Sequence, residues 1–480
     1  MPDDSFFENC VFISVDIQPS KKHHMTMESM PKGWRDRGFK LEDVNAALDF
    51  LHDVAIPNAV KTADACRQLK MPMIFVHWGY QFKDGMDLDP ETRKGFLQNH
   101  GTNYEKWPHY IGHQSSSPHE GFKVRPDEYV IAKTAQDAFP SSNIDYVLRN
   151  LGVKNVVFVG GHTGACLGKT SKSAKERGYR TLCIRDATWD ARESTRIPNM
   201  KECNYDYIVS TAEFLKLAAK SANKEIKPAA KEPDSTVQEN IKPAKRESTS
   251  KEKIARKLDG SFFENCVFVS VDHQPNKRHK FTEKNMPGFY REIGASVADL
   301  NAAVDYLFDV AKPNAVNVAD ACRSINLPMV FIHWGYQFHD AMDLDPETRD
   351  HFLKHFGTDF DKWPHHISRS DSKPYQGFKV RKGEYVIAKT AQNAFGSSNI
   401  DYVLRNLGAK NIVFVGGHTG GCLGRTSKSA KQRGYRTLCV KDATFDARES
   451  TRVPSMEACN YDYIVSADEF IKLVDEYSRQ

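Results

Sequence analysis

Residues 156–184 read VVFVGGHTGACLGKTSKSAKERGYRTLCI, and this stretch decides the fold. The apolar run VVFV leads through a glycine-rich turn into an amphipathic segment that ends at Gly178, and a second apolar run, TLCI, follows. Short apolar runs that alternate with helical patterns are typical of parallel strands covered by helices on both faces. Gly178 suits the end of a helix, because glycine adopts the left-handed conformation without steric cost. The stretch therefore predicts a strand, a helix and a second parallel strand.

The same alternation extends over the first 220 residues. Amphipathic stretches at about 44–69 and 144–151 predict further helices. Strand–helix alternation of this kind predicts an α/β domain with a doubly wound, Rossmann-like parallel sheet and right-handed crossovers. The strands are predicted at the short β-branched runs Cys10–Val15, Met73–His77, Tyr129–Ala132, Val156–Val159, Thr181–Ile184 and Tyr207–Val209.

The chain contains this unit twice. Residue n matches residue n + 256 without a gap, and residues 121–198 share 65 of 78 positions with residues 377–454. The intervening stretch is rich in Lys, Glu, Pro and Ser, and it cannot bury enough apolar surface to offset the entropy of ordering. We therefore expect two tandem domains, residues 1–220 and 258–480, joined by a flexible linker at 221–257. We also expect the two copies to pack as an internal pseudo-dimer, and the chain to be capable of forming a homo-oligomer.

Composition narrows the classes of partner. The chain has 40% hydrophobic and 27% charged residues, as globular proteins do, and a formal net charge of only +5. Its basic residues are scattered instead of interleaved with aromatics on one face, so nucleic acid is not expected as a partner. The sequence begins without a signal-peptide pattern, and no apolar run approaches the ~18 residues of a membrane span. The ten cysteines form no CxxC pair, so we expect reduced thiols in a cytoplasmic protein without membrane attachment.

Three predicted strand ends carry reactive side chains. Asp16 follows the first strand, Lys133 follows the third, and Cys166 follows the fourth through the glycine-rich turn, where a helix begins. Because the carboxyl ends of parallel strands lie at one edge of the sheet, these three side chains should meet. The second copy carries the same residue types at Asp272, Lys389 and Cys422.

This combination favours a nucleophilic cysteine. A neighbouring cation and a helix N-terminus both favour the thiolate. A carboxylate within reach can take the thiol proton and later pass it to a leaving nitrogen. Each residue alone also has a structural explanation, since an Asp after a strand often caps a helix and a Lys at a strand end is often only solvated. Their joint placement at one edge is what indicates an active site.

The chain resembles the isochorismatase-like cysteine hydrolases, a superfamily that includes nicotinamidases, N-carbamoylsarcosine amidase and ureide amidohydrolases. The resemblance rests on VFISVDIQP at 11–19, VIAKTAQDAF at 130–139 and VFVGGHTGACLGKTSKSAKERGYRTLCIRDAT at 157–188, and it covers both copies. It implies an Asp–Lys–Cys triad in each copy that hydrolyses a C–N bond through a cysteine thioester. The implied substrate is a small amide or ureide, and no cofactor is implied.

The resemblance also implies how the loop before the cysteine is built. The peptide bond Gly161–His162 is expected to be cis, and the N–H groups of His162 and Cys166 are expected to hold the oxyanion. The matching residues of the second copy are Gly417, His418 and Cys422.

Other positions concern the pocket and a metal. Gln18, Trp78 and His162 are candidates for lining the pocket, and the matching candidates of the second copy include Gln274 and Trp334. Nicotinamidases carry Asp-x-His after the second strand, whereas this chain has His77-Trp78-Gly79-Tyr80. Because one histidine makes a poor ligand set, we expect no metal site. The long aromatic stretch from Trp78 to Val130 is interpreted as a substrate lid or a subunit contact.

Two other functions stay open from the sequence. A vinyl-ether hydrolase of the isochorismatase kind would rely on the Asp and would tend to lack the cysteine, whereas both copies retain it. A non-catalytic duplicated binding or scaffold protein would keep the three residues by descent alone. The intact triads in both copies favour the amidohydrolase.

Overall fold

The structure, a computed structural model, describes residues 2–222, 258 and 260–479. The predicted linker at 221–257 lies outside the described residues except for its first two, which end a helix. The domain boundaries proposed from the sequence therefore stay a prediction.

The first copy has six parallel strands, all but one of them close to the apolar runs predicted from the sequence. Their bounds are β1 (Cys10–Val15), β2 (Met73–Trp78), β3 (Tyr129–Lys133), β4 (Asn155–Gly161), β5 (Arg180–Trp189) and β6 (Tyr207–Val209). The order in the sheet is β3-β2-β1-β4-β5-β6. The order reverses between β1 and β4, which is where doubly wound sheets open a crevice at the carboxyl ends of their strands.

Helices cover both faces of this sheet. Their bounds are α1 (Lys32–Arg35), α2 (Leu41–Phe50), α3 (Ile56–Gln68), α4 (Pro90–His100), α5 (Ile144–Asn150), α6 (Cys166–Glu176), α7 (Glu193–Glu202) and α8 (Thr211–Ala222). The single helix predicted at about 44–69 is two helices, α2 and α3, joined without a break by a π-helical turn at Leu51–Ala55. Every residue of β1 and β4 is buried, as expected of strands with helices on both sides.

The second copy repeats this architecture. Its strands are β7 (Cys266–Val271), β8 (Met329–Trp334), β9 (Tyr385–Lys389), β10 (Asn411–Gly417), β11 (Arg436–Phe445) and β12 (Tyr463–Val465), in the order β12-β11-β10-β7-β8-β9. Its helices are α9 (Gly288–Glu292), α10 (Val297–Tyr306), α11 (Lys312–Ser324), α12 (Pro346–Phe356), α13 (Ile400–Asn406), α14 (Cys422–Gln432), α15 (Glu449–Glu457) and α16 (Ala467–Ser478). The two tandem doubly wound domains predicted from the sequence are confirmed. None of the helices in the described residues is long and apolar enough to span a bilayer.

The two copies pack against each other through matched contacts, in the pseudo-dimeric arrangement expected from the sequence. The hydroxyl of Tyr129 donates to Asp340 Oδ2 over 2.7 Å, and the hydroxyl of Tyr385 donates to Asp84 Oδ2 over 3.0 Å. The Nδ2 group of Asn150 donates to two carbonyl oxygens of the other copy. Because each contact has a partner 256 residues away, the interface has an approximate two-fold symmetry.

This interface also protects the edge strands β3 and β9. The side chain of Gln337 donates to the Val130 carbonyl, and that of Gln81 donates to the Val386 carbonyl. Unpaired edge carbonyls are a template for unwanted strand pairing, so covering them stabilises the separate sheets. The aromatic stretch after Trp78 was interpreted as a lid or a subunit contact, and its residues 81–86 supply part of this contact between copies.

Candidate active site

The predicted Asp and Lys meet at the edge of each sheet. Asp16 directly follows β1, and Lys133 is the last residue of β3, two strands away. The Nζ atom of Lys133 lies 2.9 Å from Oδ2 of Asp16. In the second copy the Lys389–Asp272 distance is also 2.9 Å.

Both members of the pair are shielded from water. The side chain of Lys133 is 0% exposed, and that of Asp16 is 7% exposed. The ammonium lies 3.7 Å from the centre of the Trp78 ring and donates to the Ala135 carbonyl over 3.2 Å. An ammonium is stabilised over an aromatic face, most of all where water is excluded. Trp78, a predicted pocket residue, therefore contacts Lys133 directly.

Asp16 occupies an uncommon backbone conformation. Its φ is 54°, and the φ of Asp272 is 56°. This left-handed region is rare for residues with a Cβ, although Asp and Asn tolerate it better than most. The Asp16 N–H still donates to the Val76 carbonyl on β2, so the chain leaves the sheet immediately after the last strand bond. The carboxylate is thereby placed at the sheet edge.

Cys166 begins α6 directly behind this ion pair, and its residue is 7% exposed. Burial raises the pKa of the thiol to about 12, the charge of Lys133 lowers it, and the Asp16 carboxylate raises it further. The thiol of Cys422 is affected in the same way by Lys389 and Asp272. From the sequence, the cation and the helix N-terminus are expected to favour the thiolate. Lys133 does lower the pKa of the thiol, but burial raises it by more. Together these effects favour the thiol form of Cys166.

The loop between β4 and α6 is shaped by its glycines. Gly160 has a φ of 115°, and a Cβ there would overlap the Val15 carbonyl of the neighbouring strand. The peptide bonds Gly161–His162 and Gly417–His418 are cis, at the positions that the resemblance implied. The turn therefore brings its backbone close to the end of β1, where Asp16 lies.

A residue that the sequence reading missed holds this loop in place. Asp190 follows β5, and its Oδ2 accepts hydrogen bonds from Thr163, Thr195 and Asn199. The Thr163 N–H also donates to the Trp189 carbonyl. The predicted strand Thr181–Ile184 ends too early, since β5 continues to Trp189, so its final Asp was not recognised. A strand end followed by Asp, as at Asp16, is the signal that would have found it.

His162 lies on the cavity side of this loop. Its ring centroid is 4.2 Å from that of Trp189, and its Nδ1 is 3.9 Å from Asp190 Oδ1. Burial lowers the pKa of the imidazole, which favours its neutral form. In the second copy the His418–Asp446 distance is 3.5 Å.

A cavity of about 800 Å³ opens in front of the first triad. Cys166 and Asp16 lie in its wall together with the predicted residues Gln18, Trp78 and His162. The sequence does not predict two parts of the cavity wall, one running from the end of β1 to the start of α3 and the other at the end of β5. These walls contribute Met25, Trp34, Phe39, His52, Ile56, Trp189 and Arg192.

Gln18 lies on the cavity wall, but its amide group forms hydrogen bonds within the protein. Its Oε1 accepts from the Trp78 N–H, and its Nε2 donates to the Ser115 and Trp78 carbonyls. Gln274 makes the equivalent bonds to Trp334 and Asp371. This residue therefore fastens the end of β1 to the segment after β2.

His77, the histidine considered as a metal ligand, lies beside the ion pair. Its Nδ1 is 2.9 Å from the Trp78 carbonyl, and burial lowers its pKa. Within the described residues, no group of three or more His, Cys, Asp or Glu side chains is arranged to hold a metal ion.

Comparison with known proteins identifies a family that matches both copies, and several relatives. An isochorismatase domain matches residues 48–213 and again residues 300–465. Ureidoacrylate amidohydrolase of Agrobacterium fabrum is 27% identical over 145 residues, which cover 28% of this chain and 61% of that protein. Nicotinamidase 3 of Arabidopsis thaliana is 26% identical over 131 residues, which cover 27% of this chain and 62% of that protein. The chain thus spans less than two thirds of the length of these relatives.

N-carbamoylsarcosine amidase from Thermoplasma acidophilum is 20% identical, covers 42% of this chain and 96% of its own, and has a TM-score of 0.30.

Proposed function

The chain belongs to the isochorismatase family, and on this premise we propose that it hydrolyses the C–N bond of a small amide or ureide. The reaction proceeds through a cysteine thioester at an Asp–Lys–Cys site in each copy. The observation that carries the proposal is the buried Lys133–Asp16 pair, which acts on the thiol of Cys166 at the wall of the cavity.

The first step needs a base for the thiol. The Asp16 carboxylate takes the proton from Cys166, and Sγ attacks the carbonyl carbon of the substrate. The C=O electron pair moves onto oxygen, and the N–H groups of His162 and Cys166 hold the resulting oxyanion. Lys133 compensates the negative charge that passes between carboxylate and sulfur during this step.

The second step releases the nitrogen. The tetrahedral intermediate collapses, the C–N bond breaks, and Asp16 gives its proton to the leaving nitrogen, which departs as ammonia or an amine. The acyl group stays on Cys166 as a thioester. Asp16 then takes a proton from water, the hydroxide attacks the thioester carbon, and the thiolate leaves and is reprotonated.

Several observations favour small amides and ureides as substrates. The relatives include a ureidoacrylate amidohydrolase, a nicotinamidase and an N-carbamoylsarcosine amidase. The cavity has room for a small molecule, and its aromatic walls suit a compact, partly planar group. Because each triad needs no Lewis acid for these steps, we propose that the hydrolysis is metal-independent, and activity should survive dialysis against a chelator.

The test is ammonia release from a panel of small amides and ureides. We expect turnover with at least one substrate, and its loss when Cys166→Ala and Cys422→Ala are combined. Cys203→Ala combined with Cys459→Ala is the matched control, because these buried thiols contact the Thr163 and Thr419 carbonyls behind the loop. Absence of turnover with the whole panel, or full activity in the Cys166/Cys422 variant, would overturn the proposal.

A further inference from the structure

The two catalytic sites differ at several lining positions although their triads are identical, and two of the differences lie on one wall. In the first copy this wall includes Ile17, which follows Asp16, and Ile56, which begins α3. The matching residues of the second copy are His273 and Lys312, which begins α11. Two apolar side chains are therefore replaced by one cation and one imidazole. Further exchanges surround them: His52 by Phe308, His119 by Tyr375 and Trp189 by Phe445.

Lys312 is a buried cation without a carboxylate partner. Its residue is 2% exposed, and it forms no ion pair with any described residue. Its Nζ donates to Asn276 Oδ1 over 2.9 Å and lies 4.2 Å and 4.6 Å from the ring centres of Phe308 and Tyr375. Burial lowers the pKa of the ammonium to about 8. Because an ammonium has three donors and buried charges are costly unless paired, this group has capacity for an anion.

His273 adds an unused acceptor beside this cation. Its residue is 1% exposed, and its Nε2 donates to the Ala443 carbonyl over 3.2 Å. Nδ1 has no hydrogen-bond partner among the described residues. Burial, with a smaller effect of the Lys312 charge, lowers the pKa of the ring to about 3, so the imidazole is neutral and Nδ1 carries a free lone pair. Buried polar atoms are rarely left unpaired, so this atom is available to a ligand.

The first copy offers neither feature at these positions. Ile17 and Ile56 present hydrocarbon to a cavity that also contains Cys166, and hydrocarbon favours neutral groups. His273 and Lys312 occupy the positions of the second copy that correspond to Ile17 and Ile56 in the first.

We propose that the two sites act on different substrates, and that the second takes an amide or ureide that carries a carboxylate. Lys312 pairs with that carboxylate, and His273 Nδ1 accepts a hydrogen bond from an N–H of the same molecule. The first site, which has hydrocarbon at these two positions, favours a carboxylate less. This inference rests on the proposed function, because it names the substrate class of the same sites.

The experiment isolates each site and compares matched substrates. Cys166→Ala leaves the second site alone, and Cys422→Ala leaves the first. The substrate pairs are succinamate with butanamide, and N-carbamoylglycine with N-ethylurea, which differ chiefly in the carboxylate. We expect the kcat/KM ratio of charged to neutral substrate to be roughly 10- to 100-fold higher at the second site, the range expected of a hydrogen bond to a charged group.

Two substitutions of Lys312 test whether its charge recognises the substrate carboxylate. Lys312→Ile installs the residue of the first copy, and Lys312→Met keeps the length of the side chain without its charge. Both should lower the charged-to-neutral ratio of the second site by about 10-fold or more. The control is Lys362→Met, because Lys362 is exposed and pairs with Asp359 on the surface. Equal ratios at the two sites, or an unchanged ratio in both Lys312 variants, would overturn the inference while leaving the amidohydrolase proposal intact.

Calorimetric binding separates this inference from a failure of the proposed function. In the inactive protein with both Cys166→Ala and Cys422→Ala, succinamate or N-carbamoylglycine should bind once per chain, and Lys312→Ile should remove the binding. This result would support the carboxylate site even if no substrate turned over. Two equal sites, or binding that is indifferent to Lys312→Ile, would contradict it, and so would no binding.

Discussion

The Nζ atom of Lys133 lies 2.9 Å from Oδ2 of Asp16, and the side chains are 0% and 7% exposed. Such a pair is tolerable only when both members are present, because removing one leaves a buried charge without compensation. We therefore expect the pair to stabilise the fold, and it is repeated at Lys389 and Asp272.

Replacing the lysine should damage both stability and activity. Lys133→Met leaves the Asp16 carboxylate buried and unpaired, and we expect a loss of about 3–5 kcal/mol in the free energy of unfolding. Urea denaturation measures this loss. Lys83→Met is the control, since Lys83 pairs with Glu105 on the surface, and it should leave the unfolding midpoint unchanged. Equal effects of the two substitutions would show that the buried pair contributes no more than a surface pair.

Asp16→Asn should change turnover and thiol reactivity in opposite directions. Turnover at the first site should fall by roughly 10²–10⁴-fold, because the proton acceptor is lost. The thiol pKa of about 12 should fall, since the carboxylate contributes to raising it, so the thiolate should appear at lower pH. Alkylation of Cys166 by iodoacetamide, followed from pH 7 to 10 in the Cys422→Ala background, should become faster. Slower alkylation would contradict the conclusion that the Asp16 carboxylate raises the pKa of the Cys166 thiol.

Gly160 should tolerate no side chain. Its φ of 115° is unfavourable for any residue with a Cβ, and that Cβ would overlap the Val15 carbonyl on the next strand. We expect Gly160→Ala to cost more than about 2 kcal/mol in thermal or urea unfolding. Gly33→Ala is the control, because nothing lies within 4 Å of a Cβ added at that position. A Gly160→Ala protein as stable as the control would show that the loop is less constrained than described.

The contact between the copies should depend on two matched asparagines. Asn150 donates to the Met342 and Leu344 carbonyls, and Asn406 makes the equivalent bonds to the first copy. Each Asn→Ala substitution leaves two carbonyls without a donor and should cost roughly 1–3 kcal/mol. Asn103→Ala, on the exposed surface, should change little. Similar unfolding curves for all three variants would argue against a stabilising interface.

The sequence predicts the sheet and the triad because both depend on local patterns. Apolar runs locate the strands, and residues such as Asp16 and Lys133 directly follow these runs, so the rule that strand ends share an edge brings them together. The apolar pattern does not place Asp190 at a strand end, because β5 continues through the polar residues Arg185 and Asp186. A pattern that loses its apolar residues is interpreted as a strand end even where backbone pairing continues.

The pocket walls were harder to predict for a different reason. The segment from Met25 to Phe39 has little regular structure and reaches the cavity only through tertiary packing. The charge state of Cys166 also depends on burial, which no spacing along the chain reveals. Likewise, aligning the two copies shows Lys312 in place of Ile56, but only the fold shows that Ile56 lies on the cavity wall.

The central claim is that Cys166 and Cys422 each carry the acyl group of the substrate during turnover. Rapid acid quenching during turnover of an active amide, followed by peptide mass spectrometry, tests this most directly. We predict the mass of the acyl group on the peptides that contain these two cysteines, and its absence from both after Cys166→Ala and Cys422→Ala. Ammonia release with no acyl group on either cysteine, or with the acyl group on another residue, would contradict the account.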